Sequence, residues 1–422
     1  MAARQCGSGV LSDSKLGPVF SLEQGALALL LVIGMYFPSS LGGEHSFAAI
    51  LAAFAALFTL LIYLVWKRGV RPEAAVFISV PIVVVLFACT ILAVSSRPVQ
   101  IDSGLFIKFI ALALVLALDL RELRLGTVAR RVFVVVNFLN ILAGLAILIG
   151  NDWIGEFLPT YYWTSDPKLV PLMLSLHKPV LTFGSHALAG LFLYLFFLVN
   201  WEQHRLRGGR VELIFALSYL VLLVGLTSFT AFGLGALALS QMGLWYWKRN
   251  RRVFMVSTLF IAAVIPFVVR AADPVDFLTE LPQVAEVGLL DPDHNGPLSR
   301  YAPEGTLRGE IRYLFDHPFS PIGLARSESA FGVETPSHFF VGDSGPLEYL
   351  TRGSVVLLFL IYFGLYRFLR DNLRLRSHAT ALFLVIVAFE TGYSALVDSS
   401  RTYFLLPFFV IYLNHASLNQ TT

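Results

Sequence analysis

Arg308 and Arg312 stand one helical turn apart in the stretch "GTLRGEIRYLFDHPFSPIGLA" (305–325). Guanidinium groups bind phosphate through a two-pronged fork and stay charged at any physiological pH. Two of them at i and i+4 repel by about 0.2–0.5 kcal/mol in an isolated helix, so something negative should lie against them. Two readings satisfy that need. Glu304, Arg308, Arg312 and Asp316 are spaced four apart and can form a ladder of surface ion pairs, each contributing about 0–1 kcal/mol. The other reading is an anionic ligand. Residues 273–352 also hold Arg300, Arg326 and Arg352, and no lysine, which favours recognition of a multi-oxygen anion. The preference of the whole chain for arginine over lysine accounts for the same fact without a ligand.

Groups able to accept a proton follow downstream. "TPSHFFVGDSGPLEY" (335–349) carries His338 and Asp343, with Glu348 behind them. Each is a candidate base for an attacking hydroxyl. Asp343 also reads as a turn residue before Gly345-Pro346, and His338 as an ordinary loop histidine. His186 sits at the outer mouth of an apolar run, where contact with a sugar or headgroup and simple packing fit equally. No His/Cys cluster or paired-acid pattern has metal-ligand spacing. "DPDHN" (291–295) reads as a polar turn, so no metal or other cofactor is expected. The aromatics of "WIGEFLPTYYW" (153–163) suit either stacking on sugar rings or an interfacial belt.

These groups must be positioned by a chain that is mostly apolar. Of 422 residues, 56% are hydrophobic and 14% charged, with a net charge of +3. Soluble domains carry about 25% charge. The composition is that of a polytopic membrane protein, all-α, and it gives no basis for nucleic-acid binding. Two cysteines, Cys6 in a polar tail and Cys89 in an apolar run, make no disulfide framework. The first apolar run lacks a small-residue cleavage site and reads as a retained anchor.

Runs long enough to span a bilayer fall near 20–37, 46–65, 74–94, 105–120, 132–150, 186–201, 253–272, 353–369, 379–396 and 403–416. The stretch 211–247 is too long for one span and divides at a tight turn near "TSFTAFG" (227–233), for about 12 transmembrane helices. Alternate connections are basic: "WKRGVR", "RELRLGTVARR", "HRLRGGR", "KRNRR" and "RFLRDNLRLR". This alternation puts both termini in the cytoplasm. The chain then divides into spans 1–9 over 1–272, with an outer loop at about 151–185, a large outer loop over 273–352 and spans 10–12 over 353–422. Within the large loop, Pro303 suits a helix start, Pro318 ends it, and Leu307, Ile311, Leu314 and Phe315 form its apolar face.

The order of these features resembles the O-antigen polymerase and O-antigen ligase superfamily of bacterial inner-membrane proteins. The resemblance runs through the second half and is weak in the first five spans. It is carried by an arginine-bearing helix ("TLRGEIRYLFDHP"), a proline-glycine turn ("FSPIGLA") and a polar motif before the next span ("GDSGPLEYLTRGSVVLLFL"). Upstream, "KPVLTFGSHALAGLFLYLFFL" (178–198) is similar to the family's R-x-x-x-T-F-G approach to a span.

The resemblance implies that 273–352 is a large periplasmic loop between spans 9 and 10. It implies a metal-independent transfer of glycan from an undecaprenyl-pyrophosphate carrier to an acceptor hydroxyl, at the periplasmic face of the inner membrane. Arg308 would be the first diphosphate ligand and a catalytic group, with Asp343 and His338. Arg312, Arg300, Arg326, Lys178 and His186 would contact substrate. Expected partners are the lipid-linked oligosaccharide, a glycan or lipid acceptor, membrane lipids, and a chain-length regulator or flippase. Asp343-Ser344 stands where ligases carry His-Asn, which favours polymerase over ligase. Ser228-Phe229 lacks the Ser-Arg pair common at that turn, and Lys178 stands where arginine is commoner. A transporter is the rival from another class. It would gain if Glu390 and Lys108, the charged residues inside spans, shared a polar cavity.

Overall fold

The computed structural model describes residues 22–38, 40–41, 44–45, 47–69, 74–94, 100–123, 125–162, 169–249, 321–325 and 344–418, together with Ile311, Leu314 and Phe315. The regular structure of the described residues is helical, apart from a two-residue ladder that pairs Ser40–Leu41 with Glu44–His45 and a single bridge between Ile101 and Ala325. The expected span at 253–272 lies outside them, as does most of 273–352.

The helices are α1 (Leu22–Tyr36), α2 (Phe47–Arg68), α3 (Ala74–Val94), α4 (Ser103–Ala117), α5 (Thr127–Leu148), α6 (Asp152–Tyr161), α7 (Leu169–Ser175), α8 (His186–Arg207), α9 (Arg210–Gly225), α10 (Phe229–Arg249), α11 (Gly345–Asn372), α12 (Arg376–Glu390), α13 (Ala395–Asp398) and α14 (Ser400–Leu418). Three are long and apolar enough to cross a membrane: α2, α5 and α11. Shorter apolar helices include α1 and α4. Val134, Val135, Phe138, Leu139, Leu142 and Leu145 are exposed along α5. A stripe of that kind is costly in water and costs nothing against lipid.

Helix starts and stops follow local chemistry. Asp102 caps α4 by accepting from Leu105 N at 3.0 Å, and Ser185 caps α8 through Leu188 N. Gly208, at φ +71°, closes α8 before α9 turns back. The tight turn expected near 227–233 is present: Thr227 takes φ +45° and Ser228 Oγ accepts from Ala231 N.

The bundle packs around α8, which is buried along nearly its whole length between α9, α10 and α14. Its composition explains this, because it is apolar on every side from Leu188 to Val199. Phe196 stacks on Phe133 and Tyr219 and meets Phe409 edge-on at 5.0 Å. Asn200 donates to Asn137 at 2.9 Å across the core. Such amide bonds between membrane helices contribute about 0.6 kcal/mol each.

Bonds between helix ends fall into two sets, and the sets agree with the charge alternation. At the ends read as inner, Asn372 accepts from Leu120 N at 2.6 Å and donates to Leu118 O, while Asn414 donates to Asn372 O and accepts from Arg374 N. At the ends read as outer, the close of α1, the 177–185 turn, Tyr162 and the start of α14 meet one another.

Two elements differ from expectation. In the region read as outer loop to 352 the chain is helical from Gly345, and α11 then breaks at Gly353–Ser354, where Ser354 takes φ +59°. The eleventh run, expected to reach 396, stops at Glu390 because the Glu390 carboxylate bonds Leu396 N at 2.7 Å and folds the chain into α13.

Candidate functional site at the outer helix ends

Two constellations occupy the outer ends. The first lies at the start of α11. Pro321–Ala325 runs as a buried strap across three helices. Ile322 N donates to Thr351 O at 2.9 Å and Gly323 N to Arg352 O at 3.0 Å, taking carbonyls that the break at Gly353 would leave unpaired. On its other edge Leu324 O accepts from Asp102 N, and Ala325 bridges Ile101. Gly323 sits at φ +58°, and a Cβ there would lie 2.2 Å from Ala88 N and 2.6 Å from Val84 O. Only glycine fits, since both obstacles are backbone.

Arg352 completes this strap. Its Nε donates to Glu348 Oε1 at 3.1 Å and its Nη1 to Gly323 O and Ala325 O. Both members of the ion pair are buried. Arg352, counted with the loop arginines on sequence grounds, is therefore occupied in holding the loop to the bundle. Beside it Glu390 is wholly buried, and Gly345 lies against its carboxylate. Oε2 accepts from Tyr349 at 2.7 Å and Tyr362 at 3.3 Å, and Oε1 accepts from Leu396 N. Lys108 is not among these partners.

The second constellation joins α1, α6, the turn before α8 and α14. Lys178 opens the turn, half-buried, and loss of water lowers its pKa below the ordinary lysine value. His177 at φ +52° and Leu181 at φ +50° are left-handed, a conformation that costs a residue other than glycine about 1–3 kcal/mol. Thr182 Oγ1 donates to Met35 O at 2.5 Å. Arg401 Nη1 donates to the same carbonyl at 2.7 Å and to Gly34 O at 2.8 Å. The guanidinium lies over the rings of Tyr162 and Phe183, at 5.4 Å and 5.8 Å. Burial raises the Tyr162 pKa, while Arg401 pulls it the other way, and its hydroxyl donates to Tyr36 O at 2.8 Å.

Of the residues singled out on sequence grounds, Lys178 belongs to this second constellation. His186 is the first residue of α8, directly after the cap Ser185. Arg300, Arg308, Arg312, Arg326, His338 and Asp343 lie outside the described residues. Ile311, Leu314 and Phe315, between and after the two arginines, are helical, and Phe315 is 81% exposed. Trp153, Phe157 and Tyr161 form a stacked, exposed row along α6, with centroids 5.4 Å and 4.9 Å apart.

Arg401 and the Glu390–Tyr349–Tyr362 group were not identified as a site from sequence. Arg401 did leave a signal, as a lone arginine in an outer connection otherwise free of basic residues. No family model, curated protein or solved structure matches this chain.

Proposed function

We propose that this chain is a membrane glycosyltransferase of the polysaccharide-polymerase type, working on a diphosphate-linked lipid at the outer face of the bacterial inner membrane. The acceptor hydroxyl attacks the anomeric carbon and loses its proton to Asp343 or His338. The bond from that carbon to the diphosphate oxygen breaks, and the carrier leaves as its diphosphate anion. Arg308 and Arg312, with Arg300 and Arg326, stabilise the charge that gathers on the leaving group. Lys178 and His186 contact substrate at the mouth. Ligase activity on a lipid or protein acceptor is the alternative.

The observation that carries this reading is the double anchoring of the outer loop. Residues 321–325 and 344–352 are bonded to the same helix ends. Asp343 directly precedes the described cap Ser344, about 3.8 Å away between Cα atoms. Arg312 is nine residues before Pro321, at most about 30 Å of extended chain. Covalent connectivity thus limits how far Asp343 and Arg312 can lie from the anchored helix ends. The transport alternative draws no support from Glu390, whose oxygens are satisfied by Tyr349, Tyr362 and Leu396.

Gene deletion tests the reading. Single glycan units still attached to acceptor mean polymerase; finished polymer held on the carrier means ligase. Arg308→Ala should abolish long-chain product at normal protein level, and long chains persisting in that variant would refute the transfer role of the arginine helix.

A further inference from the structure

Arg401 presents an open fork. A guanidinium offers five N–H groups, and the parallel pair on Nε and Nη2 forms the edge that takes two oxygens of one anion. In two other arginines of this molecule that edge is filled. Arg121 gives Nε and Nη2 to Asp119 at 3.1 Å and 2.6 Å, and Arg205 gives both to Glu202 at 2.9 Å and 2.6 Å. In Arg401 the two strong bonds are both made by Nη1, on the opposite edge. Nη2 reaches only Phe37 O, at 3.5 Å. Nε has no partner among the described residues, and the side chain is only partly buried.

The setting is built rather than incidental. The guanidinium lies over the rings of Tyr162 and Phe183, and the carbonyls of Gly34 and Met35 fix its rotation. Among the described residues no carboxylate pairs with Arg401, although removing a cation from water without a counter-charge is expensive. Lys178, on the same turn as Phe183, is likewise desolvated, with no acid paired to it among the described residues. The turn between them is held in left-handed conformations at His177 and Leu181, strain of a kind that persists where the surroundings over-determine it.

We propose that the Nε–Nη2 edge of Arg401 is an anion site that takes a phosphate group carried on a lipid at the outer mouth of the helix bundle. The site is separate in sequence from the arginine helix. The choice of a polyprenyl diphosphate as its occupant rests on the proposed transfer activity.

The test uses the full chain in lipid nanodiscs, with three probes offered separately: a polyprenyl diphosphate, phosphatidylglycerol and inorganic pyrophosphate. Arg401→Lys keeps a cation for the Gly34 and Met35 carbonyls and removes the fork. It should leave thermal unfolding near wild type and weaken polyprenyl diphosphate binding about tenfold, the scale of one lost charge-assisted contact. An equal loss for phosphatidylglycerol would support the site with a bulk lipid as its source, and a loss for inorganic pyrophosphate alone would overturn a lipid-borne occupant. Unchanged binding of all three by folded Arg401→Lys overturns it. Should that variant not fold, wild-type protein decides. A photoreactive polyprenyl diphosphate must then cross-link to peptides containing residues 34–37, Tyr162 or Phe183, and cross-links confined to other segments overturn the proposal. Failure here with Arg308→Ala still abolishing polymer would leave the transfer reading intact.

Discussion

The inner and outer ends of this bundle treat their arginines differently. At the ends read as inner, three arginines answer to carboxylates near them in sequence, Arg121 to Asp119, Arg205 to Glu202 and Arg367 to Asp371, while Arg207 donates to His415 O. These pairs are local and at least partly solvated, and they ask nothing of the tertiary fold. At the outer ends Arg352 and Arg401 donate to backbone carbonyls from distant segments. A backbone carbonyl carries a dipole and no net charge. It positions the Arg401 guanidinium without neutralising it, whereas Arg352 is also paired with the buried Glu348. The inner arginines do a second job as well, because basic connections orient a membrane chain whether or not they are paired.

The contrast can be broken most directly at Arg352. Arg352→Ala leaves Glu348 buried without its cation and frees the strap, and should lower stability by about 3–5 kcal/mol. Arg121→Ala, at an exposed inner pair, should cost no more than about 1 kcal/mol. Denaturant or thermal unfolding of the two variants in matched detergent compares them. Equal effects would remove the distinction between the two ends.

Two left-handed glycines make a second pair. Gly323→Ala drives a Cβ into the α3 backbone and should cost about 2–4 kcal/mol, with earlier proteolysis of the outer loop. Gly208→Ala, at the inner end of α8, meets nothing within 4 Å and should cost only the conformational penalty of about 1 kcal/mol. Thr182→Val removes the bond to Met35 O and should cost about 1 kcal/mol, while loosening the turn that carries Phe183 under Arg401. Hydrogen exchange at residues 178–186 reads that loosening, and unchanged exchange would separate the turn from α1.

The smallest expected effect is on pH. Burial disfavours charged Lys178, so the unfolded chain binds the proton more tightly than the folded one. Stability from this position therefore rises as pH climbs through the lowered folded-state value, and levels off above the ordinary value of about 10.4. Lys178→Met should flatten that part of the profile. A wild-type profile already flat over the same window would mean that the lysine is solvated.

Much of the architecture was legible because the bilayer imposes it. Apolar runs at the right length and alternating basic connections correspond to helices whose ends meet in two sets. The turn near 227–233 was readable from the length of the apolar run 211–247, whereas the stop of α8 at Gly208 was not read from the sequence. The outer site was only partly legible. Lys178 and the strap were marked by motif, whereas Arg352 was grouped with ligand-binding arginines and proves to hold the loop in place. Glu390 stood out in the sequence only as a charge inside a span, and its partners Tyr349, Tyr362 and Leu396 N emerge from the packing.

Periodicity, hydropathy and charge therefore determined by themselves that this chain is helical, apolar enough to span a membrane, and basic at one set of connections, because those properties depend on neighbours within a few residues. Which arginine is neutralised, which is held by carbonyls, and which keeps an open fork was decided only when segments hundreds of residues apart came together. Tyr362 and Glu390 are brought together by two antiparallel helices, and Arg401 reaches Gly34 across 367 positions. No local pattern encodes such meetings. They follow from burial of helix faces against one another, and the polar groups at the ends then find whatever partner that packing supplies.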